Sequence, residues 1–482
     1  MGAATVAPLP ADGIPKTGNG GTRSVSRSLI VSASGIRGIV GQGLTPEIVA
    51  RYGAAFAAHV AAGKPGRGVV LIGRDSRVSG AALLDAASAG VRAVGFDIHD
   101  LGIVSTPTGI LAVGEDEDAV GGLLVTASHN PAEWNGLKLL SHEGRFVSPA
   151  AGRDIQRRFE GEIAYAGPME IGTRTAREGA IPAHIAAILA LPLLDPARIA
   201  ARGFHVALDC VRGAGGLILP PLLERLGCRV SGLDLEADGR FTRPPEPVPE
   251  NLGRLSELVT ATGADVGFAV DPDVDRLALV DESGRPVGED WTLALAVELV
   301  AAREPGPVVT NLSSSRSVQD AAERVGAPFH RTPVAEANVV ARMLEVDASI
   351  GGEGNGGVIY PGLHLTRDAP LAAALILQFL AESGSSLGRL IDERSSCRIV
   401  KRKVSREGLG VDGALASIAA AAGPETERDL QDGIRLDWPD GSWVHARPSG
   451  TEPIFRIMAE AADETLANAR ADWVERLVRG AG

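Results

Sequence analysis

One serine of this chain lies in a loop whose composition suits covalent chemistry. The apolar run Val120 to Val125 predicts a strand, and the hexapeptide Thr126-Ala127-Ser128-His129-Asn130-Pro131 follows it. Because asparagine and proline favour a turn there, we expect the Ser128 hydroxyl to lie exposed at the tip of this serine loop (residues 126–131). A hydroxyl beside a histidine and backbone amides can form a covalent intermediate. Ser128 is therefore the first candidate catalytic residue.

A second polar loop carries three carboxylates at alternate positions. Asp271, Asp273 and Asp275 stand in the segment Asp-Pro-Asp-Val-Asp-Arg, the aspartate loop (residues 271–276), between two apolar runs. Alternate side chains can converge in an extended or tightly turned loop, and oxygen ligands suit Mg²⁺. The spacing does not fit an EF-hand. The alternative is a solvated acidic turn or a helix cap, which the flanking apolar runs disfavour.

A third loop offers groups that could hold an anion. The arginine loop (residues 447–453) contains Arg447, the hydroxyls of Ser449 and Thr451, and Gly450, at which backbone amides can approach a ligand. Together with Arg456 just beyond it, this composition predicts a phosphate cradle. The alternative is an ordinary Pro-Ser-Gly turn.

The glycine loop (residues 351–357) superficially resembles a nucleotide-binding loop. A helix should follow such a loop, whereas Val358-Ile359-Tyr360 predicts a strand, so we reject that interpretation. Glu353 and Asn355, on a glycine-rich backbone, instead suit hydrogen bonding to neighbouring hydroxyls of a sugar.

Lys138 follows Ser128 by ten residues and is one of only five lysines, against 42 arginines. A lysine beside a phosphate can act as an acid or a base, whereas an arginine keeps its proton. Lys138 is therefore a candidate acid–base group; the alternative is that it is one of five ordinary lysines.

A weak repeat indicates which elements position these loops. A buried strand, a polar loop, a helix and a glycine recur at Val69 to Gly95, His205 to Gly227 and Val308 to Gly326. After each unit comes an apolar strand, an unusual polar loop and another strand. This order is typical of βαβ units, so we predict three similar α/β domains with mainly parallel sheets, whose loops converge on a central cleft.

The C-terminal part has a different pattern and predicts a smaller α+β domain. We expect a disordered tail at 1–28, α/β domains at 29–175, 176–286 and 287–394, and the α+β domain at 395–482. The tail lacks the apolar core of a signal peptide.

Composition excludes several classes of protein. The 482 residues carry a formal net charge of −13 without a basic stripe, which argues against nucleic acid or an anionic membrane as the main partner. No apolar run is long enough for a transmembrane helix. The three cysteines, Cys210, Cys228 and Cys397, have no metal or redox spacing, so we expect buried thiols and a cytoplasmic protein.

These loops together resemble the α-D-phosphohexomutase superfamily of phosphoglucomutases, phosphomannomutases and phosphoglucosamine mutases. The resemblance covers about residues 29 to 482. The serine loop with Asn135-Gly136 and Lys138, the aspartate loop and the arginine loop match family motifs in order. Ser34-Gly35-Ile36-Arg37-Gly38 matches the family's N-terminal arginine loop.

The resemblance implies a role for each matched residue. It implies a phosphoserine at Ser128 and one Mg²⁺ per chain, held by Asp271, Asp273, Asp275 and a phosphoserine oxygen. It places Arg37, His129 and Lys138 beside the reacting group. The remaining residues that it implies for catalysis or substrate binding are Arg276, Glu336, Glu353, Asn355, Arg447, Ser449, Gly450, Thr451 and Arg456.

The glycine loop departs from the family's commonest pattern, Gly-Glu-x-Ser-Gly-His. Asn355 replaces the serine and Gly357 replaces the histidine. This form, with Arg367-Asp368 downstream, is similar to an archaeal-type phosphoglucosamine mutase branch. The segment Arg331 to Glu336 also fits that branch, although Ala335 stands where glycine is usual. Glu336 is a candidate for the missing acid–base function.

The expected activity is interconversion of a hexose 6-phosphate and its 1-phosphate, with a hexose 1,6-bisphosphate as intermediate and activator. Glucosamine phosphate is the expected substrate, and mannose and glucose phosphates are the alternatives. A phosphatase with the same serine, or an inactive sugar-phosphate-binding protein, are the competing classes. We expect a phosphosugar as the only main partner, and a monomer or a dimer.

Overall fold

The computed structural model describes residues 29–32, 34–63, 68–394, 397–406, 410–449 and 454–480. The tail predicted at 1–28 lies outside the described residues. Within these residues the strands form four sheets that follow one another along the chain. Helices pack on the first three sheets, and the fourth belongs to a smaller α+β unit, so the predicted fold class is confirmed.

The first sheet combines parallel strands with an antiparallel edge. The elements of this region are β1 (Leu29–Ser32), β2 (Gly35–Ile39), α1 (Pro46–Gly63), β3 (Val69–Arg74), α2 (Gly80–Ala93), β4 (Asp97–Ile103), α3 (Thr106–Gly114), β5 (Ala119–Val125), β6 (Trp134–Ser141), β7 (Arg145–Phe146), α4 (Pro149–Glu160) and β8 (Arg174–Ala176). The strand order is β1-β2-β6-β5-β3-β4-β8, and β7 pairs with β6. Strands β5, β3, β4 and β8 are parallel, whereas β6, β2 and β1 add antiparallel pairs.

The second and third sheets have the same topology. The second region contains α5 (Ala180–Leu189), α6 (Pro196–Arg202), β9 (His205–Asp209), α7 (Gly215–Arg225), β10 (Arg229–Leu233), α8 (Gly253–Thr262), β11 (Val266–Val270) and β12 (Leu277–Val280). The third contains α9 (Asp290–Arg303), β13 (Val308–Asn311), α10 (Arg316–Arg324), β14 (Phe329–Thr332), α11 (Glu336–Val346), β15 (Ile350–Glu353), β16 (Gly357–Ile359), α12 (Ala369–Ser383) and α13 (Leu387–Asp392).

The predicted repeat is visible in the strand orders β10-β9-β11-β12 and β14-β13-β15-β16. In each, the first three strands are parallel and the fourth is antiparallel. Strands β4, β3, β5 and β6 of the first sheet repeat this order. The serine, aspartate and glycine loops therefore occupy equivalent positions, between the third strand and the fourth.

The fourth sheet is antiparallel, in the order β17-β21-β20-β19-β18. Its region contains β17 (Arg398–Ser405), α14 (Val411–Ala421), β18 (Glu427–Asp429), β19 (Ile434–Asp437), β20 (Trp443–Pro448), β21 (Ile454–Ala461) and α15 (Glu464–Arg479). The arginine loop joins β20 to β21, and a turn at Pro439-Asp440-Gly441 joins β19 to β20.

The largest apolar core is continuous between the second and third regions. Helices α9 and α12 contribute buried residues from nearly every face, as expected for helices enclosed by other elements. Of the cysteines, Cys210 and Cys228 are buried thiols as expected, whereas Cys397 is partly exposed. Among the helices that the structure describes, none has the length and apolar character needed to cross a membrane.

Candidate active site

The loop after β5 turns sharply and buries its serine. Ser128 has a left-handed backbone, with φ 50°, and is only 7 % exposed. Its hydroxyl donates to Asp271 Oδ2 at 2.9 Å, a contact between the first and second regions. The expectation of an exposed hydroxyl is therefore wrong, because the aspartate loop covers the tip of the serine loop.

A buried arginine that the sequence did not single out fixes the shape of the serine loop. Arg77 is 1 % exposed and donates to the backbone carbonyls of Ser128, Asn130, Pro131 and Trp134. Its Nε also donates to Asp75 Oδ2 at 3.1 Å. The only signal in the sequence was that Arg77 belongs to a polar loop after a buried strand.

Three carboxylates of the aspartate loop converge as the spacing predicted. Carboxylate oxygens of Asp271, Asp273 and Asp275 lie within 4.8 Å of one another, and all three residues are buried. Val274, between two of them, has φ 63°, so the loop turns tightly there. Asp273 Oδ1 and Asp275 Oδ1 are buried without a hydrogen-bond partner. Because buried acceptors are normally satisfied, this donor set fits a hard divalent cation.

Burial and neighbouring charges shift the pKa values of the groups in this cluster in different directions. Burial, together with Asp275 and Asp273, raises the pKa of Asp271 well above its ordinary value. Burial acts in the same direction on Asp273, but the Lys138 ammonium, with Nζ 2.7 Å from Oδ2, holds its pKa below the ordinary range. For Lys138, burial would lower the pKa, and Asp273 and Asp275 more than compensate and raise it. Lys138 is therefore protonated at neutral pH.

The start of α3 also contacts the aspartate loop. Thr106 donates from its backbone N to Asp273 O at 2.8 Å and from Oγ1 to Asp273 Oδ2 at 2.6 Å. Ser105 caps the helix by accepting from Thr108 N at 3.1 Å. Thr106 was not predicted as a site residue, since a threonine before a proline carries no specific signal.

Cationic and imidazole groups lie at or near the serine loop. His129 Nδ1 lies 3.3 Å from Ser128 Oγ, and Arg37 donates to Asn130 Oδ1 at 3.4 Å. Arg276 pairs with Glu246 at 3.0 Å. Burial, and then the charges of Arg276 and Arg37, lower the pKa of His129 well below its ordinary value. The imidazole is therefore neutral at pH 7.

Glu353 of the glycine loop is buried, and donors contact both of its carboxylate oxygens. Asn311 Nδ2 donates to Oε1 at 2.9 Å, and Arg367 donates to Oε2 at 2.7 Å. Asn355, the other predicted sugar-binding residue, donates to Glu353 Oε2 at 3.3 Å. The structure thus brings the two predicted residues together and adds Arg367 beside them.

Glu336, the candidate acid–base group, is buried at the start of α11. Its Oε1 accepts from Thr366 Oγ1 at 2.5 Å and from the backbone N of Arg367, while Oε2 pairs with Arg367 Nε at 3.0 Å. Burial raises the pKa of Glu336, and the Arg367 charge opposes that effect. Both carboxylate oxygens are thus engaged.

The arginine loop contacts the third region through one carboxylate. Asp432 Oδ2 pairs with Arg447 Nε at 2.8 Å and accepts from the backbone N of Val334 at 3.0 Å. Arg456 lies opposite Arg447 in the β20–β21 pair, and Ser449 is buried. Gly450 and Thr451 lie outside the described residues.

Comparison with protein families assigns most of the chain, between residues 28 and 477, to one family. Residues 28–166, 182–284 and 288–396 match the phosphoglucomutase/phosphomannomutase α/β/α domains I, II and III, respectively. The C-terminal domain of the same family matches residues 400–477.

Individual relatives agree with this assignment. A protein named "Probable phosphoglucosamine mutase" from Methanopyrus kandleri is 37% identical over 92% of this chain and 97% of its own length. A "Phosphoglucomutase/phosphomannomutase" from Thermococcus kodakarensis is 39% identical over 90% of this chain and 94% of its own.

A solved structure of a phosphoglucomutase/phosphomannomutase family protein from Burkholderia thailandensis has a similar fold. It aligns with a TM-score of 0.81 and 25% identity, covering 94% of this chain and 98% of the other. The chain thus belongs to the phosphoglucomutase/phosphomannomutase family of the α-D-phosphohexomutase superfamily, and it is an enzyme of the mutase class.

Proposed function

We propose that this enzyme interconverts a hexose 6-phosphate and the corresponding 1-phosphate through a phosphoserine at Ser128. The observation that carries the proposal is the position of the Ser128 hydroxyl, 2.9 Å from Asp271 Oδ2 and beside a cluster of carboxylates with unpartnered oxygens. A phosphoryl group on Oγ would lie beside this cluster, whose carboxylates also pair with the cations Lys138 and Arg276.

In the proposed transfer, the phosphoryl group moves from the serine to the sugar and a proton moves the other way. The bond between phosphorus and Ser128 Oγ breaks, a new one forms to a sugar hydroxyl, and the proton of that hydroxyl ends on Oγ. Lys138 is protonated and therefore supplies positive charge, while the neutral His129, 3.3 Å from Oγ, can relay the proton. Glu336 is the proposed acid–base group on the sugar side; turnover unchanged in Glu336→Gln would remove it from the mechanism.

Asp271, Asp273 and Asp275 are the proposed ligands of one Mg²⁺. When bound, the ion would neutralise charge on the phosphoryl group during transfer. The unpartnered Asp273 Oδ1 and Asp275 Oδ1 support this assignment because a hard cation would satisfy both. A hexose 1,6-bisphosphate is the proposed intermediate and activator.

The arginine loop is the proposed grip on the phosphate that does not react. Arg447, Ser449, Gly450, Thr451 and Arg456 offer charged and neutral donors, which suits an anion that must be held in two orientations in turn. Glu353 and Asn355 are the proposed partners of the sugar hydroxyls.

Glucosamine 6-phosphate is the proposed substrate. The name of the Methanopyrus kandleri relative supports this choice, as does that of a phosphoglucosamine/phosphogalactosamine mutase from Sulfurisphaera tokodaii, which is 30% identical. The Thermococcus kodakarensis relative keeps mannose and glucose phosphates as the alternative. We propose a cytoplasmic monomer or dimer whose partner is the phosphosugar rather than nucleic acid or a membrane.

The test is a side-by-side assay of glucosamine, glucose and mannose 6-phosphates with Mg²⁺ and a trace of the bisphosphate. A preference for glucosamine 6-phosphate in kcat/KM, without release of free phosphate, is the expected result. Preference for another sugar would change the substrate but keep the mechanism. Net phosphate release would indicate a phosphatase, and no turnover would indicate an inactive binding protein.

A further inference from the structure

Arg367 connects the aspartate loop, the glycine loop and the start of α11, which the proposed function uses separately. We propose that it is a positioning residue that holds the aspartate and glycine loops in register, and that Gly357 is required to make room for it. This inference rests on the proposed function, because it concerns a carboxylate assigned to the metal and another assigned to the sugar.

The guanidinium of Arg367 contacts three carboxylates from three different segments. Nη2 donates to Asp275 Oδ2 at 2.7 Å, Nη1 donates to Glu353 Oε2 at 2.7 Å, and Nε lies 3.0 Å from Glu336 Oε2. The side chain is 10% exposed. A planar guanidinium can hold several carboxylates at fixed angles, whereas a lysine ammonium cannot reproduce that fork.

Arg367 can position these carboxylates but cannot exchange protons with them. An arginine side chain keeps its proton in proteins. The guanidinium therefore stays charged. Because Asp275 Oδ2 is held by Arg367, its other oxygen, Oδ1, remains available to the cation site.

The stem of Arg367 fills the space beside Gly357. A Cβ added to Gly357 would lie 2.2 Å from Cδ of Arg367 and 2.7 Å from its Cγ, far inside van der Waals contact. The φ of Gly357 is not in the left-handed region, so the backbone itself would accept alanine. Where the commonest pattern of this superfamily has a histidine on the loop, this chain has a glycine and an arginine stem supplied from residue 367.

A double-mutant cycle tests the contact between the two residues. We expect Arg367→Ala to lower kcat/KM about 100-fold, because Glu353 and Asp275 each lose a charged donor at 2.7 Å. Gly357→Ala should lower it about tenfold by displacing the arginine stem. The double variant should lie within about twofold of Arg367→Ala, since only Asn355 Oδ1, at 3.1 Å, then remains close to the added methyl group. If the fold-loss in kcat/KM of the double variant equals the product of the two single fold-losses, the proposal is overturned.

Arg367→Lys distinguishes positioning from charge alone. The lysine ammonium keeps the positive charge but lacks the forked guanidinium. We therefore expect the kcat/KM of Arg367→Lys to be less than about tenfold higher than that of Arg367→Ala. Full recovery would contradict the proposal. Arg394→Ala is the matched control, because Arg394 forms a largely buried pair with Glu298 at 2.9 Å outside this set of loops. It should leave kcat/KM within about twofold of the wild type at matched folding.

Mg²⁺ binding gives a readout that does not depend on turnover. In calorimetry we expect Arg367→Ala to weaken Mg²⁺ binding about tenfold through loss of the donor that orients Asp275, and Arg394→Ala to leave it unchanged. Unchanged Mg²⁺ affinity in well-folded Arg367→Ala would overturn the link to the aspartate loop. If the wild type binds Mg²⁺ but shows no turnover, the proposed function is contradicted instead. The double-mutant cycle of Arg367 and Gly357 is then carried out with Mg²⁺ affinity as the readout.

Discussion

At the scale of the residue, burial gives the serine and aspartate side chains their chemistry. The Ser128 hydroxyl is packed against Asp271 rather than open to solvent, and the pKa values of Asp271 and Asp273 move in opposite directions. The difference arises because Lys138 lies 2.7 Å from Asp273. Neighbouring groups thus shift the pKa values of carboxylates in one cluster in opposite directions.

Replacing the serine hydroxyl tests its covalent role. Ser128→Ala should lower kcat more than about 10⁴-fold, because no oxygen is left to carry the phosphoryl group. The variant also leaves Asp271 Oδ2 without its hydroxyl donor, so we expect a loss of about 1–2 kcal/mol in stability. A coupled mutase assay and chemical denaturation measure both effects. Turnover near the wild-type rate would exclude the covalent route.

Replacing one aspartate tests the metal assignment. Asp273→Asn removes a charge from the cluster and the ammonium's nearest carboxylate, so we expect Mg²⁺ affinity to fall at least about tenfold. Calorimetric Mg²⁺ titration measures it, with the exposed Asp412→Asn on α14 as the control. Equal affinities in the two variants would show that these carboxylates do not hold the ion.

The residues of the site were predictable where a motif is local in sequence. The aspartate and serine loops were found by their side chains, and the convergence of Asp271, Asp273 and Asp275 agrees with their spacing. The burial of Ser128 was not predictable, because it depends on a contact with a residue 143 positions away. Arg77 and Arg367 were missed as site residues for the same reason. The chain has 42 arginines, and the sequence does not show which of them contact the site.

At the scale of the element, helix starts connect the loops to one another. Asp290 at the start of α9 is buried and accepts from the backbone N of Ser315, the residue that caps α10. Its Oδ1 would lie 2.1 Å from a Cβ added to Gly354, so the glycine loop packs directly on it. One carboxyl group thus joins α9, the start of α10 and the glycine loop.

We expect the pH dependence of the free energy of unfolding to reflect the ionisation of Asp290. Burial raises its pKa from 3.8 to about 7, against the opposing effects of Lys401 and the Ser315 amide. The folded protein then keeps a proton that the unfolded chain releases, so stability falls as pH rises from about 4 to about 7 and levels off above. Asp290→Asn should remove up to about 4 kcal/mol of that fall. Urea denaturation at several pH values measures it; an unchanged slope would contradict the assignment.

At the scale of the whole molecule, one buried network joins the first three regions. Asp368 Oδ2 accepts from His184 Nε2 at 2.8 Å and from His364 Nε2 at 2.7 Å, and His184 Nδ1 contacts Thr108 Oγ1 of α3 at 2.9 Å. Asp368 also caps α12 through Leu371 N. Asp368 directly follows Arg367, so the network adjoins the segment that carries this arginine.

Removing the charge of Asp368 should loosen this junction. Asp368→Asn presents one acceptor oxygen to two imidazoles and the helix cap, so we expect about 3 kcal/mol of destabilisation. Thermal and urea unfolding measure the change. Asp195→Asn is the control, because Asp195 is an exposed N-cap and asparagine caps equally well. Equal stability of the two variants would show that the junction contributes little.

The repeat was predictable from the sequence because a strand, a polar loop, a helix and a glycine recur with local signals. The antiparallel edge β1-β2-β6 of the first sheet was not, since pairing between Gly35–Ile39 and Trp134–Ser141 depends on residues about a hundred positions apart. The way the four regions pack together also lay beyond local patterns, because it depends on contacts such as His184–Asp368 and Val334–Asp432.

Phosphoryl transfer through Ser128 can be tested directly by following phosphate on this residue. The purified enzyme is treated with hexose 1,6-bisphosphate, freed of it, and analysed by peptide mass spectrometry before and after addition of glucosamine 6-phosphate and Mg²⁺. We predict phosphate on Ser128 alone, and its loss from the protein on addition of substrate, with the phosphate recovered in sugar bisphosphate rather than free in solution. Full turnover by enzyme whose Ser128 never carries phosphate would contradict the account.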